Sequence, residues 1–201
     1  MTTVAELPAG FVDKVLSAQS TFRSVMDAMA RPGSVQRIAS AAGTPSAMMR
    51  GTAAMALTLF DHDTPVWLDA ATSATADVAN WLKFHTSAPV VADSSIASFA
   101  LVADPENLPA LDRFAFGSNE YPDRSTTLIL QVESLTDGPV VELHGPGIDS
   151  TTTLRASIQP HNLFERLTIN GALFPRGIDV VLVHDDSIVA IPRTTRLVRG
   201  G

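Results

Sequence analysis

Two apolar rhythms alternate along this chain, and their order restricts it to few architectures. Stretches whose apolar residues recur about every 3.6 positions read as amphipathic helices, and short β-rich runs between polar turns read as strands. The first helix spans residues 11–30, where Phe11, Val12, Val15, Leu16, Phe22, Val25, Met26 and Met29 follow a helical period. Arg31-Pro32-Gly33 stops it, because proline cannot extend the hydrogen-bond ladder. A short strand at 34–38 follows. Thr44-Pro45 reads as an N-cap with proline at the first helical position, opening a second helix that runs through Met48, Met49, Met55, Leu57 and Leu59 to Phe60. Beyond the polar break Asp61-His62-Asp63-Thr64, a strand at 65–69, a helix at 77–84 and strands at 89–92 and 98–103 are expected. Residues 104–116 are less regular, with a short helix as one reading, and 116–124 form a turn-rich loop.

In the C-terminal half, STTLILQV at 125–132 is β-rich, and the turn Thr136-Asp137-Gly138-Pro139 predicts that 140–144 pairs back on it as a hairpin. Gly145-Pro146-Gly147 opens a loop. A helix at 160–173 rests on Leu163, Phe164, Leu167 and Ile169, and a second hairpin joins 178–184 to 187–191 around Asp185-Asp186. Helices interleaved with hairpins imply an α/β fold with a mixed sheet covered by helices. With neither an internal repeat nor a linker, residues 1–201 read as one domain, with 1–10 expected to be flexible.

There is no cysteine, so disulfides, thiolate zinc sites, iron–sulfur ligation and thiol nucleophiles are all excluded on this chain. The core alone must hold the fold, and 201 residues suffice for that. Net charge is −7, and Lys14 and Lys83 are the only lysines, which argues against a nucleic-acid partner. Charged residues make up 17%, against about 25% in an average soluble domain, a weak sign of a surface that meets other protein. No apolar stretch reaches the roughly 18 residues a membrane helix requires, and residues 1–10 lack a signal pattern, so a cytoplasmic location is expected.

No phosphate-gripping GxxxxGKS/T, no GxGxxG after a strand and no GxSxG elbow occurs. Neither lysine sits where Schiff-base chemistry would use it, so pyridoxal phosphate is not expected. Asp61-His62-Asp63 could ligate a metal, but three adjacent residues seldom converge on one ion and no further ligand is obvious, so a polar turn with Asx-type bonds is the preferred reading. Arg31-Pro32-Gly33 and Pro192-Arg193-Thr194-Thr195-Arg196 carry the arginine forks and hydroxyls that hold phosphate or phosphonate oxygens. On the residues alone they read more readily as a helix stop and a strand end, where arginines are common. His85 and His161 are isolated, and lone histidines are mostly structural.

Taken in order, these segments resemble the PhnH family, the H subunit of the bacterial carbon–phosphorus lyase system. The likeness rests on Phe22-Arg23 with Ala28-Met29-Ala30-Arg31-Pro32-Gly33, on Leu57-Thr58-Leu59 and Asp63-Thr64-Pro65-Val66-Trp67-Leu68, and on Phe84-His85-Thr86 with Ala88-Pro89. It continues through 127–132, Gly145-Pro146-Gly147-Ile148, Phe174-Pro175, Gly177-Ile178-Asp179 and 190–195, collinear over residues 11–196. The resemblance implies a sheet like that of the large domain of pyridoxal-phosphate-dependent transferases, without the cofactor residues. It implies a homodimer when isolated, and G, I and J subunits beside it in the assembled core. With G, I and L partners the family joins a phosphonate to the ribose C1 of ATP with release of adenine, while a separate iron–sulfur subunit cleaves the carbon–phosphorus bond. ATP and phosphonate are then substrates of the complex, and no cofactor belongs to this chain.

Three roles follow as alternatives. The chain is an obligate subunit of the transferase complex, a direct phosphonate- or nucleotide-binding protein, or a structural scaffold without a site. For the second, the candidate substrate-binding residues are Arg31, Asp63, Thr64, His85, Arg193 and Thr194, polar groups beside helix stops and strand ends where sheet proteins place ligands. No catalytic residue and no metal ligand is assigned. A single cleft holding both Arg193 and His85 is the geometric expectation of that reading.

Overall fold

The computed structural model describes residues 8–38, 43–157 and 162–199. Its helices are α1 (Lys14–Ala30), α2 (Arg50–Leu59), α3 (Asp77–Thr86) and α4 (Leu163–Gly171). The strands are β1 (Gln36–Arg37), β2 (Val66–Leu68), β3 (Val90–Val91), β4 (Phe99–Val102), β5 (Thr127–Gln131), β6 (Val140–His144), β7 (Thr152–Arg155), β8 (Asp179–His184), β9 (Ser187–Ile191) and β10 (Arg196–Arg199).

Seven strands form one sheet in the order β1-β9-β8-β5-β4-β2-β3. β3, β2, β4, β5 and β8 run parallel, β9 runs against them, and β1, antiparallel to β9, returns to their direction. Alternate side chains feed two cores, as the pleat requires. Leu101, Ile129, Val181 and Val183 pack under α1, α2 and α3. Ala100, Leu128, Leu130, Val180 and Leu182 pack under α4 and a small antiparallel sheet, β10-β6-β7. The α/β class and the mixed sheet are as expected, but one face is covered partly by a second sheet rather than by helices alone.

Three expectations are corrected. The run at 125–132 does not form a hairpin with 140–144. β5 is apolar on both faces and sits between the parallel neighbours β4 and β8, the usual place for such a run. β6 alternates buried and half-buried residues, and that pattern suits the small sheet, where it pairs with β7 and β10.

The second helix does not start at Thr44-Pro45, where Met48 N–H merely closes a turn on Pro45 O. It starts at Arg50, with no side-chain cap from the preceding residue. Gln131, at the end of β5, supplies the cap from across the fold: its Oε1 accepts from Met49 N–H at 2.5 Å and from the Thr52 hydroxyl at 2.9 Å.

In the first helix the apolar period is real but does not mark one face. Val25 and Ala28 are buried beside Thr21, while Val12, Val15, Leu16, Phe22 and Met26 are exposed. The last helix is first described at Leu163, so its expected start at 160, together with His161, lies outside the described residues, as do residues 1–7 of the stretch expected to be flexible. Among the described residues no helix is long and apolar enough to cross a membrane.

Candidate functional site

Chain direction places all six candidate residues on one edge of the large sheet. Asp63 and Thr64 lead into β2, and His85 in the last turn of α3 leads into β3. Arg193 and Thr194 follow β9, which runs against β8, so they stand where β8 begins. Arg31 joins the same edge, because Gly33 N–H donates to Ala190 O at 3.2 Å near the end of β9. This is the edge where the parallel strands start. Open α/β sheets usually bind ligands at the opposite edge.

The six residues do not converge. Between β9 and β3 stand β8, β5, β4 and β2, so the strand that Arg193 follows and the strand that His85 precedes are five spacings apart, roughly 24 Å. Five of the six side chains have a local employment. Arg31 Nη2 meets Asp27 Oδ1 at 2.6 Å on the exposed end of α1. Asp63 lies 3.3 Å from His62 in the open, and its N–H donates to Asp61 Oδ1 at 2.9 Å. The Thr64 hydroxyl accepts from Asp61 N–H and donates to Asp61 O. The break is therefore an Asx-type turn, and among the described residues no group of three His, Asp or Glu could hold a metal ion.

His85 lies against Trp81, with ring centroids 4.8 Å apart, and its Nε2 is 3.0 Å from Pro8 O, which also accepts from Trp81 Nε1. Arg193 is largely buried. Its guanidinium binds the Asp179 carboxylate and donates to Ser125 Oγ at 2.5 Å and to Pro122 O at 2.8 Å. That fork ties together the end of β9, the start of β8 and the loop before β5.

Where β9 hands over to β10, the same edge opens into a cleft of about 740 Å³. Three loops far apart in sequence enclose it: the turn at 193–196, the Gly145-Pro146 loop after β6, and the end of α4 with Phe174. Gly145 has φ 139°, and a Cβ there would press on Thr194 O at 2.9 Å, so only glycine lets the loop close on the turn. Gly147, at φ 81°, lies against Ala30 O, which docks the loop on the Arg31-Pro32-Gly33 stop.

Of the six candidates, Arg193 and Thr194 border the cleft. Its other polar groups are His144, Thr168, Thr195 and Arg196. His144 Nε2 stands 3.7 Å from Glu142 Oε2. Thr195 is 3% exposed and its hydroxyl has no hydrogen-bond partner among the described residues. Arg196 is exposed. The glycine-rich loop and the 192–196 segment are visible in sequence, whereas burial of the Thr195 hydroxyl depends on their meeting.

The opposite edge offers a smaller cleft of about 360 Å³ lined by Asp104, Glu106, Gln131 and Glu133. Its carboxylates repel anions, and the nearby start of α2 is already occupied by the Gln131 amide. Asp69, buried at this edge, accepts from Ala103 N–H and Asp104 N–H at 2.9 and 2.8 Å and serves the loop rather than a ligand. For an anionic ligand, the 740 Å³ cleft is the better of the two.

Comparison with known proteins bears on the whole chain. Residues 9–198 match the family model described as PhnH, a bacterial phosphonate metabolism protein. The alpha-D-ribose 1-methylphosphonate 5-triphosphate synthase subunit PhnH of Rhizobium meliloti (strain 1021) is 42% identical over 200 residues, covering 99% of this chain and 100% of that protein. The putative C-P lyase subunit protein HtxG of Stutzerimonas stutzeri is 31% identical over 200 residues, covering 98% of this chain and 95% of that one. With the family model matched over residues 9–198 and a 42% identical relative matched end to end, the chain belongs to the PhnH family of bacterial phosphonate metabolism proteins.

Proposed function

We propose that this chain is a non-autonomous subunit of a carbon–phosphorus lyase system, acting in the cytoplasm in the step that joins a phosphonate to the ribose of ATP. In that step a phosphonate oxygen bonds to ribose C1, the bond from C1 to adenine breaks, and adenine leaves carrying a proton. The observation that carries the reading is the end-to-end match to a relative named as a subunit of a ribose methylphosphonate triphosphate synthase. G, I and L subunits are the proposed partners in the transfer and J the neighbour in the core, with a homodimer as the form of the isolated chain. The exposed apolar side chains along α1 support a life in an assembly, since half or more of the surface of most of them is left in water in the single chain. The same reading takes the seven-stranded sheet as a counterpart of the large domain of pyridoxal-phosphate-dependent transferases. Lys14 and Lys83, the only lysines, both lie exposed on helices rather than in a cleft.

Reconstitution tests the function directly. Phosphonate-dependent adenine release is measured with the partner subunits, with and without this chain. Release that requires the chain supports the reading, and undiminished release without it overturns the reading. The scaffold alternative is favoured by the apolar stripe and by the local employment of five of the six candidate side chains; it predicts that substitutions lining the 740 Å³ cleft leave adenine release unchanged.

A further inference from the structure

We propose that the cleft between the 193–196 turn, the Gly145-Pro146 loop and the end of α4 binds a purine nucleoside triphosphate. This rests on the transferase reading above and goes beyond it, because that reading does not say which chain holds the nucleotide. Size is the first argument. A volume of about 740 Å³ falls in the range of small-molecule sites and far exceeds what a small alkylphosphonate fills.

The lining is the second argument. Pro146, Ala172, Phe174 and Leu197 give the cleft apolar walls, and the Phe174 ring is 63% exposed at its border. A flat aromatic ring left in water beside an apolar cleft is a stacking surface for a planar base. Arg196 stands at the same cleft, exposed and with no side-chain hydrogen bond or ion pair among the described residues. Its fork is free for phosphate oxygens. Arg193, by contrast, is spent on Asp179 and only shapes the wall.

Thr195 is the third argument and the most specific. A buried hydroxyl without a partner lowers stability, and such a group in a native fold calls for an explanation such as an ordered water, an ion or a functional role. Thr195 borders the cleft, and its enclosed hydroxyl is unpaired among the described residues. Thr21, the other such hydroxyl among the described residues, sits in α1 against the helical core instead. The oxygen is enclosed in the fold, so a ribose hydroxyl or base nitrogen of a nucleotide would pair with it after a small shift of the Thr195 side chain.

Calorimetric titration of the purified full chain tests this with ATP, adenosine and tripolyphosphate. Saturable ATP binding is expected, with adenosine and tripolyphosphate each at least tenfold weaker. Phe174→Ala and Arg196→Ala, both at exposed positions, are expected to weaken ATP at least fivefold. Thr195→Val is expected to weaken ATP while leaving the urea midpoint unchanged or raised. The proposal is overturned if ATP gives no saturable heat, if tripolyphosphate binds as tightly as ATP, or if the Phe174 and Arg196 variants bind like the parent chain. If adenine release needs this chain although the chain does not bind ATP, the nucleotide site falls and the subunit reading stands. If the chain binds ATP but is dispensable for release, the reverse holds.

Discussion

The Asp179 carboxylate holds Arg193 at three points: Oδ1 accepts from the Arg193 backbone N–H at 2.8 Å and from Nε at 3.1 Å, and Oδ2 accepts from Nη2 at 2.5 Å. The two side chains are only 13% and 15% exposed. The pair therefore acts inside the protein, where removing one charge strands the other. Arg193→Ala and Asp179→Ala should each destabilise the fold by about 3–5 kcal/mol. Arg193→Lys should also destabilise it, since an ammonium cannot reproduce the fork. The double change Arg193→Met with Asp179→Leu should cost less than either alanine variant. Urea denaturation of the set checks this, and a double variant as damaged as the sum of the singles would contradict it. Lost transferase activity in an Arg193 variant then reports unfolding before it reports substrate binding.

This pair also shows what a sequence does and does not disclose. Arg193-Thr194-Thr195-Arg196 looks like an anion-binding run, yet in the fold its members divide the work. Arg193 turns inward to Asp179, fourteen positions earlier, Thr195 is buried at the cleft, and Arg196 faces solvent. Spacing along one strand end says nothing about which neighbour crosses over. The same limit explains α2, whose cap comes from Gln131 at the end of β5 rather than from the residue before it. Elements defined by their own residues were legible: α1, α3, the β8–β9 hairpin and the Asx turn at 61–64 lie within a few residues of where pattern places them. Pairings set by distant partners were not, as β6 shows by leaving β5 for the small sheet.

Asn170 offers a second test of such long-range bonding. Buried in α4, it donates through Nδ2 to Ile178 O at 2.9 Å and accepts through Oδ1 from Ile178 N–H at 2.8 Å. The side chain thus imitates a strand partner for the residue just before β8. Asn170→Ala leaves both buried backbone groups of Ile178 unpaired and should cost on the order of 2–3 kcal/mol. Asn170→Asp keeps the acceptor, loses the donor and buries a charge, so it should be at least as harmful. Thermal melting of both variants measures this, and an alanine variant as stable as the parent chain would show that water replaces the amide.

Asp93 carries a pH dependence whose sign is fixed by its hydrogen bonds. The Ser95 hydroxyl donates to Asp93 Oδ1 at 2.7 Å and the Ser95 N–H donates to the same oxygen at 2.9 Å. The hydroxyl bond, then the N–H bond, and to a lesser degree the nearby Arg113, hold this carboxyl below its ordinary value of 3.8. A carboxylate with a depressed folded pKa stabilises the fold above its ordinary pKa and loses that contribution as pH falls through the depressed one. The group is exposed, so the effect is small. Melting curves of the parent chain and of Asp93→Asn should therefore differ most near neutral pH and draw together in strong acid. A gap that widens below about pH 4 would reverse the assigned sign.

The stripe on α1 bears on assembly rather than on folding. Val12 is 90% exposed, and Val15, Leu16, Phe22 and Met26 continue the line along the helix, while Thr21, Val25 and Ala28 face the core. Five large apolar side chains on one flank are costly to leave in water and contribute little to a single chain. Val12→Glu and Val15→Glu, the former at a position 90% exposed, should therefore change the unfolding free energy of the monomer by no more than about 0.5 kcal/mol. The same changes should sharply weaken self-association, or incorporation into the reconstituted complex, because a buried carboxylate without a partner opposes an apolar interface. Sedimentation velocity of the isolated chain and co-purification with the partner subunits separate the two interfaces. If both variants assemble like the parent chain, α1 is not a contact surface and the protein meets its neighbours elsewhere.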